Sequence, residues 1–144
     1  VFDYLTEKLG LETFRALFPV ILTDNGVEFK DPDQLEHAPN NCPRTKIFYC
    51  DPQASWQKPH VEKNHVLLRR ILPKGTSFKD LTKAQVALAT SHINSVAREL
   101  FDNQTPFDLF VGENEKKLLE LLDLSPIAPD EVYLKPALLK TKPN

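Results

Sequence analysis

Methionine is missing altogether, at position 1 as everywhere else, and a chain without an initiator is expected to be a fragment or a processed piece. Cysteine is scarce: Cys42 and Cys50 are the only two. Their spacing fits no zinc site, so a reducing cytoplasm is expected, with both thiols reduced and structural. No apolar run approaches the roughly 20 residues needed to cross a bilayer. No secretory signal opens the chain either, which removes a membrane or a secretory route from the expected functions. Internal repeats and low-complexity segments are also lacking, which excludes repeat architectures. A large surplus of charge of either sign is lacking too, with 20 acids against 18 lysines and arginines. The formal net charge of −2 argues, on its face, against a nucleic-acid partner.

The distribution of charge says something different. From residue 58 to 74, five basic residues (Lys58, Lys63, Arg69, Arg70, Lys74) stand against the single acid Glu62, a local +4 before any histidine is counted. A mean near zero therefore hides a basic stripe of the kind that meets phosphates. The other totals are ordinary: 144 residues, 41% hydrophobic and 26% charged, suit one domain with a sizeable core.

Along the chain, residues 2–18 read as two short helices, with Leu5 and Leu9 on one face, Gly10 at a helix end, and Phe14, Leu17 and Phe18 as the next apolar stripe. Pro19 stops that run, and "VILT" (20–23) follows as an apolar strand of the type buried on both faces. Residues 30–46 hold three prolines and no apolar period, which predicts a loop, and "IFYC" (47–50) predicts a second short buried strand. A helix is expected from near Pro59, with Val61, His65, Leu68 and Leu72 on one stripe and Glu62, Val66 and Arg69 on its neighbour. Thr82 and Gln85 form a capping box for a helix running to about Leu100, its buried stripe being Val86, Ala89, Ile93 and Ala97. "TPFDLF" and "NEKKLLELLDL" are further helical candidates, and the proline-punctuated residues from Ser125 onward read as an extended tail. Strands joined to helices argue for an α/β fold with a mixed sheet flanked by helices. Two strands alone do not make a stable sheet, so further strands are expected upstream.

Two acids stand out. Asp24 follows the first strand in "TDNG", where Asp, Asn and Gly favour a tight turn and "VEF" could be a return strand. The same position, a strand's carboxyl end, is where clefts in α/β sheets open and a carboxylate could take a metal ion. Glu62, 38 residues later, lies in a first helical turn among bases. It could be a solvated acid favoured by the helix N-terminus, or a second metal carboxylate with phosphate-binding neighbours. Two-metal phosphoryl transfer requires carboxylates converging on divalent ions, and Mg²⁺ takes such hard oxygen ligands.

The segments "LTDNGVEF", "FYCDPQASWQKPHVEKNHVLLRRILPKGTSF" and "SHINS" together resemble the integrase core of bacterial insertion-sequence transposases, in particular the "IS-thirty" family of DDE enzymes. The resemblance runs from about Phe14 through Phe110, roughly two thirds of the chain. It implies a ribonuclease-H-like fold in which Asp24 is the second acid of the catalytic triad and Glu62 the third, both holding Mg²⁺ or Mn²⁺. The implied activity is metal-dependent DNA strand cleavage followed by 3′-hydroxyl strand transfer. The implied partners are DNA (element ends and target) and a second copy of the protein, in a bacterial, nucleoid-associated setting. No residue matches the family's first acid, because Asp3 lies in a helical stretch with no strand around it. The chain is therefore expected to be a partial fold, with residues 1–110 as the C-terminal portion of the core and 111–144 as a helical extension and tail, and to have little activity alone. Pro59 replaces the usual glycine, and residues 96–110 lack the usual basic and glycine residues.

Lys58, Lys63, Asn64, Arg69 and Arg70 are the candidate DNA-binding residues, the alternative for each being a solvated basic helix. Trp56 could stack on an unpaired base or anchor its loop. His65 falls on the core-facing stripe, and Asn25 would orient Asp24. Two other functions compete: a non-catalytic DNA-binding or dimerisation module derived from a transposase, and a two-carboxylate hydrolase acting on sugars, disfavoured because only Trp56 is aromatic near either acid.

Overall fold

The computed structural model describes residues 1–52, 54 and 59–140, the side chains of 59 and 60 excepted. Helices α1 (Phe2–Leu9) and α2 (Leu11–Leu17) lead into strand β1 (Val20–Thr23), helix α3 (Pro32–Glu36) and strand β2 (Lys46–Tyr49). Helices α4 (Pro59–Ile71), α5 (Lys83–Asn94), α6 (Pro106–Leu109) and α7 (Glu113–Leu121) follow. The class is α/β, with seven helices and a two-stranded sheet among the described residues. The chain forms two compact units, Val1–Pro59 and His60–Asn144. Among the described residues, no helix is long and apolar enough to cross a membrane.

In the first unit, the break between α1 and α2 falls at Gly10, whose φ of 85° suits a residue without a side chain and whose N–H still bonds Thr6 O at 2.9 Å. Phe14 of α2 is fully buried, with the rings of Phe2 and Phe18 tilted against it at 5.9 and 5.0 Å. Beside them sits Arg44, only 2% exposed. Its guanidinium donates to Gln34 O (2.7 Å), Leu35 O (2.8 Å) and Asp3 Oδ1 (2.5 Å), and its carbon lies over the Phe2 and Phe14 rings.

The segment expected as a loop contains α3. Asp31 caps it by accepting from Gln34 N at 3.1 Å, and Pro32 opens it where a missing N–H costs nothing. A five-residue helix is too short to show an apolar period, so the cap was the only available signal. β1 and β2 pair in parallel, Val20 opposite Lys46 through Thr23 opposite Tyr49. Their burial on both faces, as expected, is not what is found. Thr23 and Ile47 are buried on one face, whereas Val20, Leu22 and Phe48 are exposed on the other. A continuous apolar run encodes burial on two faces, but each face needs its own covering layer. On the outer edge of β2, the Ile47 N–H is taken by Glu36 Oε1 at 2.9 Å. That bond, with Lys46 adding a weaker attraction, holds the Glu36 carboxyl below its ordinary range.

The core of the second unit joins Leu67 and Ile71 of α4, and Leu72 just beyond it, to Ala89 and Ile93 of α5. The buried face of α4 is rotated from the expected stripe: Val61 and His65 are exposed, and Leu67 and Ile71 take the interior. The capping box of Thr82 and Gln85 forms as expected. The helix it starts ends at Asn94 instead of continuing to Leu100, and of the expected stripe Val86 and Ala97 are exposed. Ser95 Oγ turns back to Ser91 O at 2.8 Å, and Asp102 and Asn103 take left-handed conformations to bring Gln104 against Arg98. The tail is extended only as far as Lys135, where a turn of 3₁₀ helix, Pro136–Leu139, interrupts it, and it is not loose. The Ser125, Ile127 and Tyr133 N–H groups donate to Ser91 Oγ (3.2 Å), Ser95 Oγ (2.9 Å) and His92 Nδ1 (3.1 Å), and Leu134, Leu138 and Leu139 pack on the core.

Two outcomes follow from these buried polar groups. Arg44→Met leaves two carbonyls and a carboxylate without their donor and should lower stability by about 2–4 kcal/mol in a urea melt followed by circular dichroism. Asp3→Asn, at its exposed partner, should cost less than about 1 kcal/mol. His92 is buried and accepts through Nδ1, so it must be neutral, and burial lowers its pKa from the ordinary 6.5, with Glu131 opposing. As pH falls through 6.5, the unfolded chain takes up a proton that the folded chain refuses, so this stability is lost on the acid side. Amide exchange at Ile127 and Tyr133 should accelerate, relative to α7 amides, between about pH 7 and pH 5. His92→Asn keeps an acceptor for the Tyr133 N–H and should abolish that extra acceleration.

Candidate metal and nucleic-acid site

β1 ends at Thr23, whose buried carbonyl still accepts from Cys50 N at 2.7 Å and carries the ladder one step further. The next residue is Asp24, exposed at the carboxyl end of the strand. Its Oδ1 accepts from Gly26 N at 3.1 Å, closing a turn through its own side chain. The "VEF" segment does not return as a strand: Val27–Phe29 is one turn of 3₁₀ helix, tied down by the Tyr49 hydroxyl, which donates to Phe29 O. Nor does the turn use the conformations that make Asn-Gly a hairpin signal, since Gly26 has φ −57° and Asn25 is not left-handed. The aspartate side chain supplies the bend, and the partner of β1 comes later, from β2.

Glu62 is exposed in the first turn of α4. Val66 and Arg69 continue its stripe outward, and Lys63, Arg70 and His65 are exposed too. Asn64 differs from the other candidate DNA-binding residues. It is half-buried, and its Oδ1 accepts from Arg98 Nη2 at 2.7 Å. Lys58 and Trp56 lie outside the described residues. α4 thus brings Glu62, Lys63, Arg69 and Arg70 onto one helix of the second unit, whereas Asp24 belongs to the first. Among the described residues, no group of three or more His, Cys, Asp or Glu side chains is placed to hold a metal ion. Two carboxylates are nonetheless the hard donors that Mg²⁺ takes. Cys42 and Cys50 are free thiols, Cys50 buried. Neither a polar cleft lined by Asp3, Asp33, Gln34 and His37 nor an apolar groove of about 250 Å³ lined by Phe107, Phe110, Leu118 and Leu122 includes either acid.

Over 101 residues, 70% of its length, the chain is 27% identical to the transposase for insertion sequence element IS4351 of Bacteroides fragilis. Over 64 residues it is 30% identical to transposase InsI for element IS30A of Escherichia coli K12 and 27% identical to the transposase for element IS1086 of Cupriavidus metallidurans. Its relatives are insertion-sequence transposases. The chain spans 30%, 17% and 19% of those three proteins, less than a third of each. No protein-family model and no solved structure matches it.

Sequence reading missed the two arginines that matter most to the architecture, Arg44 and Arg98. Arg44 sits in a proline-punctuated stretch without apolar periodicity, and Arg98 reads as one more charged residue of a helix expected to run to Leu100, so in neither case does spacing carry a sign of burial.

The Asx turn gives Asp24 a testable structural share. Asn has the same accepting oxygen, so Asp24→Asn should leave stability within about 0.5 kcal/mol of the parent, whereas Asp24→Ala should lose about 0.5–1.5 kcal/mol in the same urea melt. Equal losses in both variants would mean that the charge, not the bend, holds this segment.

Proposed function

We propose that this chain is part of the catalytic core of a DDE-type transposase with a ribonuclease-H-like fold. Residues 1–110 would form the C-terminal portion of that core, and 111–144 a helical extension. The observation that carries the reading is the position of Asp24, at the carboxyl end of a parallel strand in a chain similar to transposases. Open α/β sheets bind their ligands at that end of their strands. The exposed Glu62, flanked by Lys63 and followed by Arg69 and Arg70, supplies the second acid on a basic helix.

In this reading Asp24 and Glu62 hold Mg²⁺ or Mn²⁺ with carboxylate oxygens, and a further acid comes from outside the residues matched here. The metal ions supply, when bound, an activated water or 3′-hydroxyl and a stabilised leaving oxygen. The chain's own residues do the rest. Lys63, Arg69 and Arg70 take DNA phosphates and orient the backbone beside the acids, and Lys58 is assigned the same role on its place in the sequence. The stripe that Glu62 shares with Arg69 puts an anionic and a cationic group on one exposed line of α4. DNA is the substrate, a second copy of the protein the partner.

The test is strand cleavage of labelled element-end DNA by the transposase that contains this chain. Asp24→Asn and Glu62→Gln should each reduce Mg²⁺-dependent cleavage to background while DNA affinity stays within about threefold of the parent. Parental activity in either variant overturns the assignment of that residue. A parent that binds DNA with a steep salt dependence, yet neither cleaves nor gains thermal stability from Mg²⁺, would favour a non-catalytic DNA-binding or dimerisation module.

A further inference from the structure

The two halves of α4 are held in different ways. Its C-terminal half is anchored by Leu67 and Ile71, with Leu72 just beyond it, in the core of the second unit. Its N-terminal half, which carries Glu62, has no such anchor among the described side chains: Val61, Glu62, Lys63, His65 and Val66 are all exposed. The inward-facing exception is Asn64, and what meets it is the Arg98 guanidinium, donating from Nη2 to Oδ1 at 2.7 Å. Arg98 is 8% exposed, comes from the turn after α5, and lies with its guanidinium carbon 5.8 Å from the centre of the Phe101 ring. The backbone around it is pinned on both sides, Arg98 N donating to Gln104 O and Asn103 N to Arg98 O. The donor is therefore fixed, and the helix is the part that would move.

Burying this cation is costly. Its Nε is buried without a hydrogen-bond partner among the described residues, and desolvation pulls its pKa below the ordinary arginine value. A methionine or leucine there would avoid that cost, so the arrangement is worth explaining by what the bond to Asn64 does. A helix end without apolar contacts frays, because each lost hydrogen bond is replaced by one to water. Fraying of α4 from its start would carry Glu62 with it.

We infer that Arg98 is a positioning residue: through Asn64 it fixes the rotation of the N-terminal half of α4 and thereby the direction in which Glu62 presents its carboxylate. The link to catalysis rests on the metal role proposed for Glu62, but the tether itself does not. The same bond has a second consequence. With Oδ1 committed to Arg98, Asn64 is part of the scaffold before it is a DNA contact.

The tether is tested on the 144-residue chain by amide exchange at residues 63–66, whose N–H groups close the first turns of α4. Arg98→Gln, and independently Asn64→Ala, should raise exchange there about tenfold relative to amides 68–72. Arg98→Lys, which can still reach Oδ1, should restore part of the protection, and Asn64→Asp, which makes the bond charge-assisted, should match or exceed the parent. Unchanged exchange at 63–66 in Asn64→Ala overturns the inference even if Arg98→Gln fails to fold. The link to Glu62 is tested in the transposase that contains the chain. Asn64→Ala should raise the half-saturating Mn²⁺ concentration for cleavage about tenfold and lower kcat, with KM for DNA unchanged. A rise in KM with no change in metal dependence would instead make Asn64 a DNA contact and overturn the positioning role. Loss of the tether in the exchange experiment, alongside parental activity in Glu62→Gln, would leave the tether standing and remove only the metal reading.

Discussion

A guanidinium shut away from water must find acceptors inside the protein, and Arg44 finds them on two separate elements. It closes the carbonyl end of α3, reaches Asp3 on α1, and lies against two aromatic rings. That fixes the chain at Arg44, two residues before β2. Thr45 follows it, bonding Phe18 O at 2.6 Å, and Lys46 N then bonds Pro19 O at 3.2 Å, which starts the pairing of β2 with β1. The register of the sheet is thus set at its entry by one buried cation. The same register carries the pairing to the end of β1 beside Asp24, where Cys50 N reaches Thr23 O.

The second unit repeats the device less completely. Arg44 has four oxygen acceptors and two ring faces, whereas Arg98 has, among the described residues, one amide oxygen, one ring and no partner for its Nε. A fully satisfied buried arginine behaves as structure; a half-satisfied one holds its partner with less to spare. The difference matches the work each has. One sets a sheet whose strands are also fixed by a ladder, the other steadies a helix end whose described apolar side chains, Val61 and Val66, are exposed.

Much of the architecture was legible because it rests on local rules. The Gly10 break, the Thr82–Gln85 box, the start of a helix at Pro59 and both strands are written in residues that act within a turn of where they stand. What could not be read depends on distant contacts. The buried face of α4 is chosen by where α5 lies, and β-branched and leucine residues surround the helix broadly enough that neighbouring stripes look alike until a partner selects one. The end of α5 is set by Ser95 turning its hydroxyl inward to receive a tail residue 32 positions away. Asp24 and Glu62 were legible as carboxylates in suggestive places, and their surroundings bear on what those places permit. Asn64 read as one more polar residue on a basic helix, because its partner lies 34 positions further on.

The choice between a bend and a ligand at Asp24 is therefore a false one in physical terms. A carboxylate offers about four lone-pair sites, and closing the turn to the Gly26 N–H takes one of them. Using one oxygen in the turn restricts the side chain to a narrow range of directions, and a ligand that is already oriented loses less entropy when it takes a cation. The sheet adds a constraint of its own. The outer edge of β2 is closed at Ile47 by the Glu36 carboxylate, while no described strand occupies the other edge of β1. A further strand can therefore join most readily beside β1, and its carboxyl end, if it runs parallel, comes out next to Asp24. The exposed Val20, Leu22 and Phe48 are a separate matter, an apolar face that needs a layer over it and not a strand beside it. The turn and the open edge thus meet at one place, the carboxyl end of β1 where Asp24 stands.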